Sequence, residues 1–175
     1  MHEYTIRRAT PADAERLATF AADCFEASYG AQNTPANMAA YLAQAFTAAR
    51  MHADLVQPGA TTLVMERDDV LTAYAMIGPV GDAPACVSGP APIELRRFYV
   101  AHAHHGAGLA PALMSATLEA ARDAGGGTLW CSVWQRNPRA IRFYGRHGFV
   151  AVGTAVFMLG DDRQDDWVLA RELGA

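Results

Sequence analysis

Apolar residues recur along this chain at two spacings, every second position and every third or fourth, and the switches between them predict a succession of strands and helices. Tyr4-Thr5-Ile6-Arg7-Arg8-Ala9 alternates and stops at Thr10-Pro11, a hydroxyl cap followed by a proline whose missing N–H is not needed there. A strand and then a helix to about Ser28 follow, with Leu17, Phe20, Ala21, Cys24 and Phe25 on one face. Thr34-Pro35 repeats the signal and opens a second helix, expected to end near Met51, with Met38, Tyr41, Leu42, Ala45 and Phe46 along one side. Thr61 to Glu66 and Val70 to Ile77 are β-rich runs joined by the polar Arg67-Asp68-Asp69, a hairpin. Gly78 to Pro92 reads as a loop or distorted strand end, and Ile93 to Val100 as the next strand. A helix from Gly108 to about Asp123, closed by Gly125-Gly126-Gly127, leads into the buried strand Thr128 to Trp134 and completes a β-α-β unit. Asn137 to Arg146 makes a short helix. Phe149 to Leu159 and Trp167 to Glu172 supply two last strands around the turn Gly160-Asp161-Asp162.

The length, 175 residues, fits one compact domain spanning 1–175, and 51% apolar residues suffice for its core. A net charge of −4 with the signs interspersed offers no broad footprint for nucleic acid. Cys24, Cys86 and Cys131 are far apart and odd in number, so they read as reduced thiols rather than a disulfide framework or a zinc site. The start Met1-His2-Glu3-Tyr4-Thr5-Ile6-Arg7-Arg8 has no apolar leader, and no run approaches the roughly 20 apolar residues that cross a bilayer. A cytoplasmic protein without a membrane partner is expected.

The chemistry concentrates in Val100-Ala101-His102-Ala103-His104-His105-Gly106-Ala107-Gly108-Leu109-Ala110, between a strand and a helix. Small residues let backbone approach a ligand, and a helix N-terminus directs free N–H groups and a positive dipole at an anion, most often phosphate. A tight turn selected for packing would look the same. A Rossmann turn needs G-x-G-x-x-G, which Ala110 and the residues after it do not supply, and no Gly-Lys-Ser/Thr marks a P-loop. The three histidines lack a nearby carboxylate or thiolate, so no metal is expected.

His105-Gly106-Ala107-Gly108-Leu109-Ala110 resembles the R/Q-x-x-G-x-G/A pyrophosphate loop of the GNAT superfamily, with His105 in place of Arg or Gln. Asn137-Pro138-Arg139-Ala140-Ile141-Arg142-Phe143-Tyr144-Gly145-Arg146-His147-Gly148-Phe149 resembles the superfamily's N-x-x-A-x-x-F-Y-x-x-x-G-F segment. The resemblance covers Ile93 to Phe149 closely and the flanks in outline. It implies an α/β fold with a mixed, mostly antiparallel sheet of about seven strands and about four helices, splayed between the fourth and fifth strands. It also implies acetyl-CoA as co-substrate, with the acetyl group passing directly to an amine without an acyl-enzyme.

By that resemblance, coenzyme contacts fall to Phe98, Tyr99 and Val100 on the fourth strand, to His105, Gly106, Ala107, Gly108, Leu109 and Ala110, and to Asn137, Ala140 and Phe143. A fixed backbone N–H on the fourth strand, exposed by a bulge, would stabilise the oxyanion. His105 can donate to phosphate but is fully charged only when protonated. Tyr144 takes the general-acid position, where a phenol can protonate the departing thiolate, or else packs as a core tyrosine. Glu94 relays the amine's proton, unless it pairs with Arg96 or Arg97. Asn137 also suits a helix cap. Asp23, Glu26 and Tyr29 stand where members line the acceptor pocket, or mark a solvated helix end.

Phe157-Met158-Leu159-Gly160-Asp161-Asp162-Arg163-Gln164-Asp165-Asp166 looks like the hairpin of members related to bacterial polyamine acetyltransferases, which favours a small polyamine-like acceptor over a peptide amine. Its aspartates alternatively form a solvated turn. An acyl-CoA-binding sensor with negligible turnover is the alternative from another functional class. A homodimer is compatible with the resemblance.

Overall fold

A computed structural model describes residues 4–79 and 82–174. Residues 80 and 81 of the expected 78–92 loop, and 1–3 of the expected leaderless start, lie outside the described residues. Seven strands form one sheet in the order β1-β2-β3-β4-β5-β7-β6, where β1 is Thr5–Arg8, β2 Thr61–Arg67, β3 Val70–Gly78, β4 Pro92–Val100, β5 Thr128–Trp134, β6 Val150–Leu159 and β7 Asp162–Glu172. Every pairing is antiparallel except β4 with β5, which α4 (Leu109–Asp123) connects as a crossover. On one face α4 and α5 (Pro138–Arg146) cover a core that includes Leu95, Leu113, Leu129 and Leu169. On the other, α1 (Ala14–Tyr29), α2 (Pro35–Ala45) and α3 (Ala48–Val56) cover Leu17, Met51, Val64 and Met76. β3 sits between these layers and is buried from Thr72 to Gly78, which explains its continuous apolar run.

The one long helix expected from Thr34 to Met51 is two helices, and five α-helices replace the expected four. Phe46 leaves helical geometry at φ −125°, ψ 40°, and the Thr47 hydroxyl accepts a bond from the Arg50 N–H at 3.1 Å, starting α3 anew. Thr47 was hidden among alanines that favour helix on either side. The last strand also begins at Asp162, five residues earlier than Trp167. Its inward positions there are Gln164 and Asp166, so the apolar alternation that marks a strand is missing although the burial alternates.

β1 is clamped to α1 by a cluster of charges: Arg7 donates to Asp13 at 2.8 Å and to Glu66 at 2.8 Å, and Arg16 reaches the same two carboxylates. Bonds from the Arg7 guanidinium hold the Asp13 carboxyl well below the usual range, against the cost of its burial. The depressed value means this stabilisation is full above the unfolded pKa of about 3.9 and is lost as pH falls through the folded one. Asp13→Asn should lower unfolding free energy by about 1–3 kcal/mol at neutral pH, because two half-exposed arginines lose a buried partner. Urea unfolding at pH 7 and pH 3 checks it, with the difference between variant and parent shrinking at the lower pH.

Candidate functional site

β4 and β5 pair only at Pro92–Thr128, Ile93–Leu129 and Glu94–Trp130, although β4 runs on to Val100 and β5 to Trp134. Past Glu94 the two strands part, and the β5-facing edge of β4 has no strand partner. A bulge accompanies the parting. The β3–β4 register passes from Met76↔Arg97 to Ile77↔Leu95, leaving Arg96 as the extra residue. The bulge lies two residues before Phe98 rather than within Phe98–Val100. It also overrides the simple period of two: Arg96 and Arg97 both turn to the α1–α3 face, while Leu95 and Phe98 turn to the α4 face. Arg96 donates to Asp54 at 3.0 Å and to Gln57 at 3.1 Å, and Arg97 donates to the Ala45 carbonyl at 3.3 Å and lies over the Phe46 ring. Neither is paired with Glu94.

Two cavities open into the parting. The larger, about 660 Å³, runs from the His102–Pro111 loop past Phe98, Tyr99 and Val100 to Asn137, Phe143 and Tyr144. The smaller, about 270 Å³, lies on the α1–α2 side between Glu94, Trp134, Phe157 and Asp166. Tyr29, Tyr99 and Ser132 line both, so the cavities meet at the widened gap between β4 and β5.

At the mouth of the larger cavity the chain turns sharply. Gly106 and Gly108 have φ of +83° and +80°, and a Cβ on either would meet nothing within 4 Å. The positive φ calls for glycine, and the open space lets a ligand come up against the backbone. Leu109 and Ala110 open α4, so their N–H groups have no intrahelical acceptor and face this space. Arg139 and Arg146, seven residues apart and so on one side of α5, line the same cavity. These are the cations that motif reading passed over, although the seven-residue spacing was visible. Dinucleotide-like phosphates fit such a combination of glycine cradle, free amides and guanidinium groups.

His105 is used differently from the direct phosphate donor that the motif implies. Its Nε2–H donates to the Val100 carbonyl at 2.8 Å, tying the loop to the end of β4. Burial chiefly, then Arg139 and His102, push the ring's pKa below its ordinary value, while the Val100 bond opposes them. The neutral ring therefore has no second N–H for phosphate. Ala107 is exposed and lines neither cavity, whereas Ala110 and Ala140 do line the larger one.

Asn137 caps α5 through its side-chain oxygen, which accepts from the Ala140 N–H at 3.1 Å, and its amide also borders the larger cavity. Cap and cavity positions coincide. Tyr144 is packed among Phe98, Phe143 and Phe149, with ring centroids 5.3–6.3 Å away. Burial pushes its phenol well above the ordinary value, so it stays protonated at neutral pH. Glu94 is raised by burial, which Arg96 partly offsets, and it borders the smaller cavity. Of the α1 residues, Tyr29 lies at the junction, while Asp23 and Glu26 are exposed and line neither cavity. Cys24 borders the larger cavity, but burial pushes its thiol up to about 12, and the Cys131 thiol is raised as well. Neither is a ready nucleophile. Among the described residues no group of three potential metal ligands occurs, and no helix is long and apolar enough to cross a membrane.

The model of the Acetyltransferase (GNAT) family matches residues 15–149. An uncharacterized N-acetyltransferase of Mycobacterium tuberculosis is 34% identical over 161 residues, covering 92% of this chain and 98% of the relative. Another from Lactobacillus delbrueckii subsp. lactis is 28% identical over 151 residues, covering 86% and 87%. In overall fold the chain is similar to the PaiA N-acetyltransferase of Thermoplasma acidophilum, solved in complex with coenzyme A, with a TM-score of 0.80 at 15% identity over 97% and 99% of the two chains. It is also similar to YncA of Salmonella typhimurium, solved with its cofactor acetyl-CoA, with a TM-score of 0.69 at 21% identity over 99% and 95%.

Proposed function

The chain belongs to the GNAT acetyltransferase family, and on that premise we propose that it transfers the acetyl group of acetyl-CoA directly to a small, polyamine-like amine. The observation that carries the reading is the meeting of two cavities at the splayed strands. A coenzyme in the larger one, with phosphates at Gly106–Ala110 and its arm along Phe98–Val100, would present its thioester where an amine in the smaller one can attack. The similar folds solved with coenzyme A and acetyl-CoA support a coenzyme as one of the two ligands.

In this mechanism the unpartnered edge of β4 supplies a backbone N–H to the carbonyl oxygen as negative charge develops there. Glu94 accepts the proton the amine must lose, directly or through water. Holding a lysine-like amine of pKa about 10.4 neutral near pH 7.4 costs roughly 4 kcal/mol, so a carboxylate raised by burial is suited to the task. Tyr144 gives its proton to the thiolate as the carbon–sulfur bond breaks. Direct transfer is supported by the raised thiols of Cys24 and Cys131, which disfavour an acyl-enzyme. The acceptor class rests on the carboxylates and aromatic walls of the smaller cavity. The continuous seven-stranded sheet supports reading residues 1–175 as one domain.

The test is release of free thiol from acetyl-CoA across polyamines, amino acids and short peptides, with coenzyme binding measured in parallel. Spermidine is expected to outpace neutral amino acids. The reverse order would remove the acceptor assignment, binding without turnover on any amine would favour an acyl-CoA sensor, and absence of binding would overturn the reading as a whole.

A further inference from the structure

Asp166 is unlike the other aspartates of the C-terminal hairpin. Asp161, Asp162 and Asp165 are exposed, and Asp165 is paired with Arg163 at 2.8 Å. Asp166 is only 7% exposed, stands opposite Trp134 in the β5–β7 ladder, and lines the smaller cavity. Its Oδ1 is buried without a hydrogen-bond partner. The Gln164 side-chain amide, two positions away in the chain, does not serve it, because it donates to Asn33 at 2.6 Å and to Asp162 at 2.9 Å. Of the arginines that share the cavity, Arg96 is held by Asp54, and Arg97, held by the Ala45 carbonyl and the Phe46 ring, keeps its buried Nη1 without a partner yet makes no bond to Asp166. A buried carboxylate without a hydrogen-bond partner is costly, and a ligand cation entering the cavity would offset that cost.

Burial first, and Asp165 second, push this carboxyl up to about 6, in keeping with a charge that lacks its counter-ion. The walls around it are the rings of Tyr29, Tyr41, Trp134 and Phe157, surfaces that suit an alkylammonium chain through its methylenes and its charge.

From this geometry we infer that Asp166 is the specificity-determining anchor for an ammonium group of the acceptor, accepting its hydrogen bond in the smaller cavity. The inference rests on the acetyl-transfer reading and narrows it: the acceptor is a cationic amine, selected on β7 by one inward carboxylate rather than by the hairpin turn. Glu94, on β4, is left free to handle the proton of the attacking nitrogen. No bond is made or broken at Asp166.

Asp166→Asn keeps the shape and removes the charge. Spermidine KM, and spermidine affinity for the CoA-loaded protein by calorimetry, should both weaken at least about tenfold, the loss of one charge-assisted hydrogen bond. Acetyl-CoA affinity and kcat should stay within about threefold, and the melting temperature should hold or rise, since an uncompensated buried charge has been removed. Asp166→Glu, which restores the charge in an open cavity, should recover most of the spermidine affinity. Spermidine affinity within twofold of the parent in Asp166→Asn overturns the inference. So does an Asp166→Glu variant as weak as Asp166→Asn, a fall in melting temperature with equal losses for spermidine and acetyl-CoA, or a CoA-loaded parent that binds neither spermidine nor butylamine. Loss of acetyl-CoA binding in the parent itself would instead strike the acetyl-transfer reading, so the two failures are separable.

Discussion

Replacing Tyr144 with Phe is expected to lower kcat about 10²-fold while leaving the acetyl-CoA dissociation constant within about twofold. The change deletes one oxygen and keeps the ring among Phe98, Phe143 and Phe149. No hydrogen bond to the hydroxyl is lost among the described residues, so the fold pays little for its removal and a kinetic loss is attributable to the proton. The raised phenol also carries a sign. A group that remains protonated well past neutrality loses nothing as pH rises from 7 to 9, so Tyr144 should not produce an alkaline fall in kcat over that interval. Steady-state kinetics with spermidine, alongside equilibrium binding of acetyl-CoA, reads both quantities. An unchanged kcat would return Tyr144 to the role of a packed core residue.

Gly108→Val should raise the acetyl-CoA dissociation constant about 100-fold. The side chain enters the space in front of the α4 amides, which lowers affinity, while a β-branched residue at φ +80° is strained by about 1–3 kcal/mol, which lowers thermal stability. Gly125 provides the control. It has the same φ of +80° and the same open surroundings, but it sits beyond the other end of α4 and lines neither cavity. Gly125→Val should therefore match the loss of thermal stability without the loss of coenzyme affinity. Equal effects of the two variants on binding would mean that backbone strain, and not occupation of the cradle, explains the Gly108 result.

Much of this architecture was legible in local pattern. The helix starts at Thr10-Pro11 and Thr34-Pro35, the Asp68-Asp69 hairpin with φ of 52° and 61°, and the strand Thr128–Trp134 follow from capping, turn and periodicity chemistry that acts over a few residues. The break at Phe46-Thr47 was less visible because alanine-rich flanks favour helix on both sides of a weakly marked cap. The early start of β7 was hidden because Gln164 and Asp166 occupy inward positions that a strand ordinarily gives to apolar side chains.

By itself, then, the sequence determined the order of the strands and of the helices other than the α2–α3 break, the glycine turn before α4 and the Asn137–Phe149 segment, since each is encoded in neighbouring residues. Tertiary structure decided the rest. The bulge at Arg96 sent two successive arginines to one face, a result of β3–β4 register rather than of β4's own alternation. The Val100 carbonyl claimed the His105 N–H. Asp23 and Glu26 were left in solvent while Tyr29, on the same helix, reached the junction of the cavities. Asp166, one of four aspartates within six residues, was buried without a cation only because β7 lies between β5 and β6. Which face a side chain meets, and whether its charge is answered there, depends on strands distant in the chain, and that information exists only once they have paired.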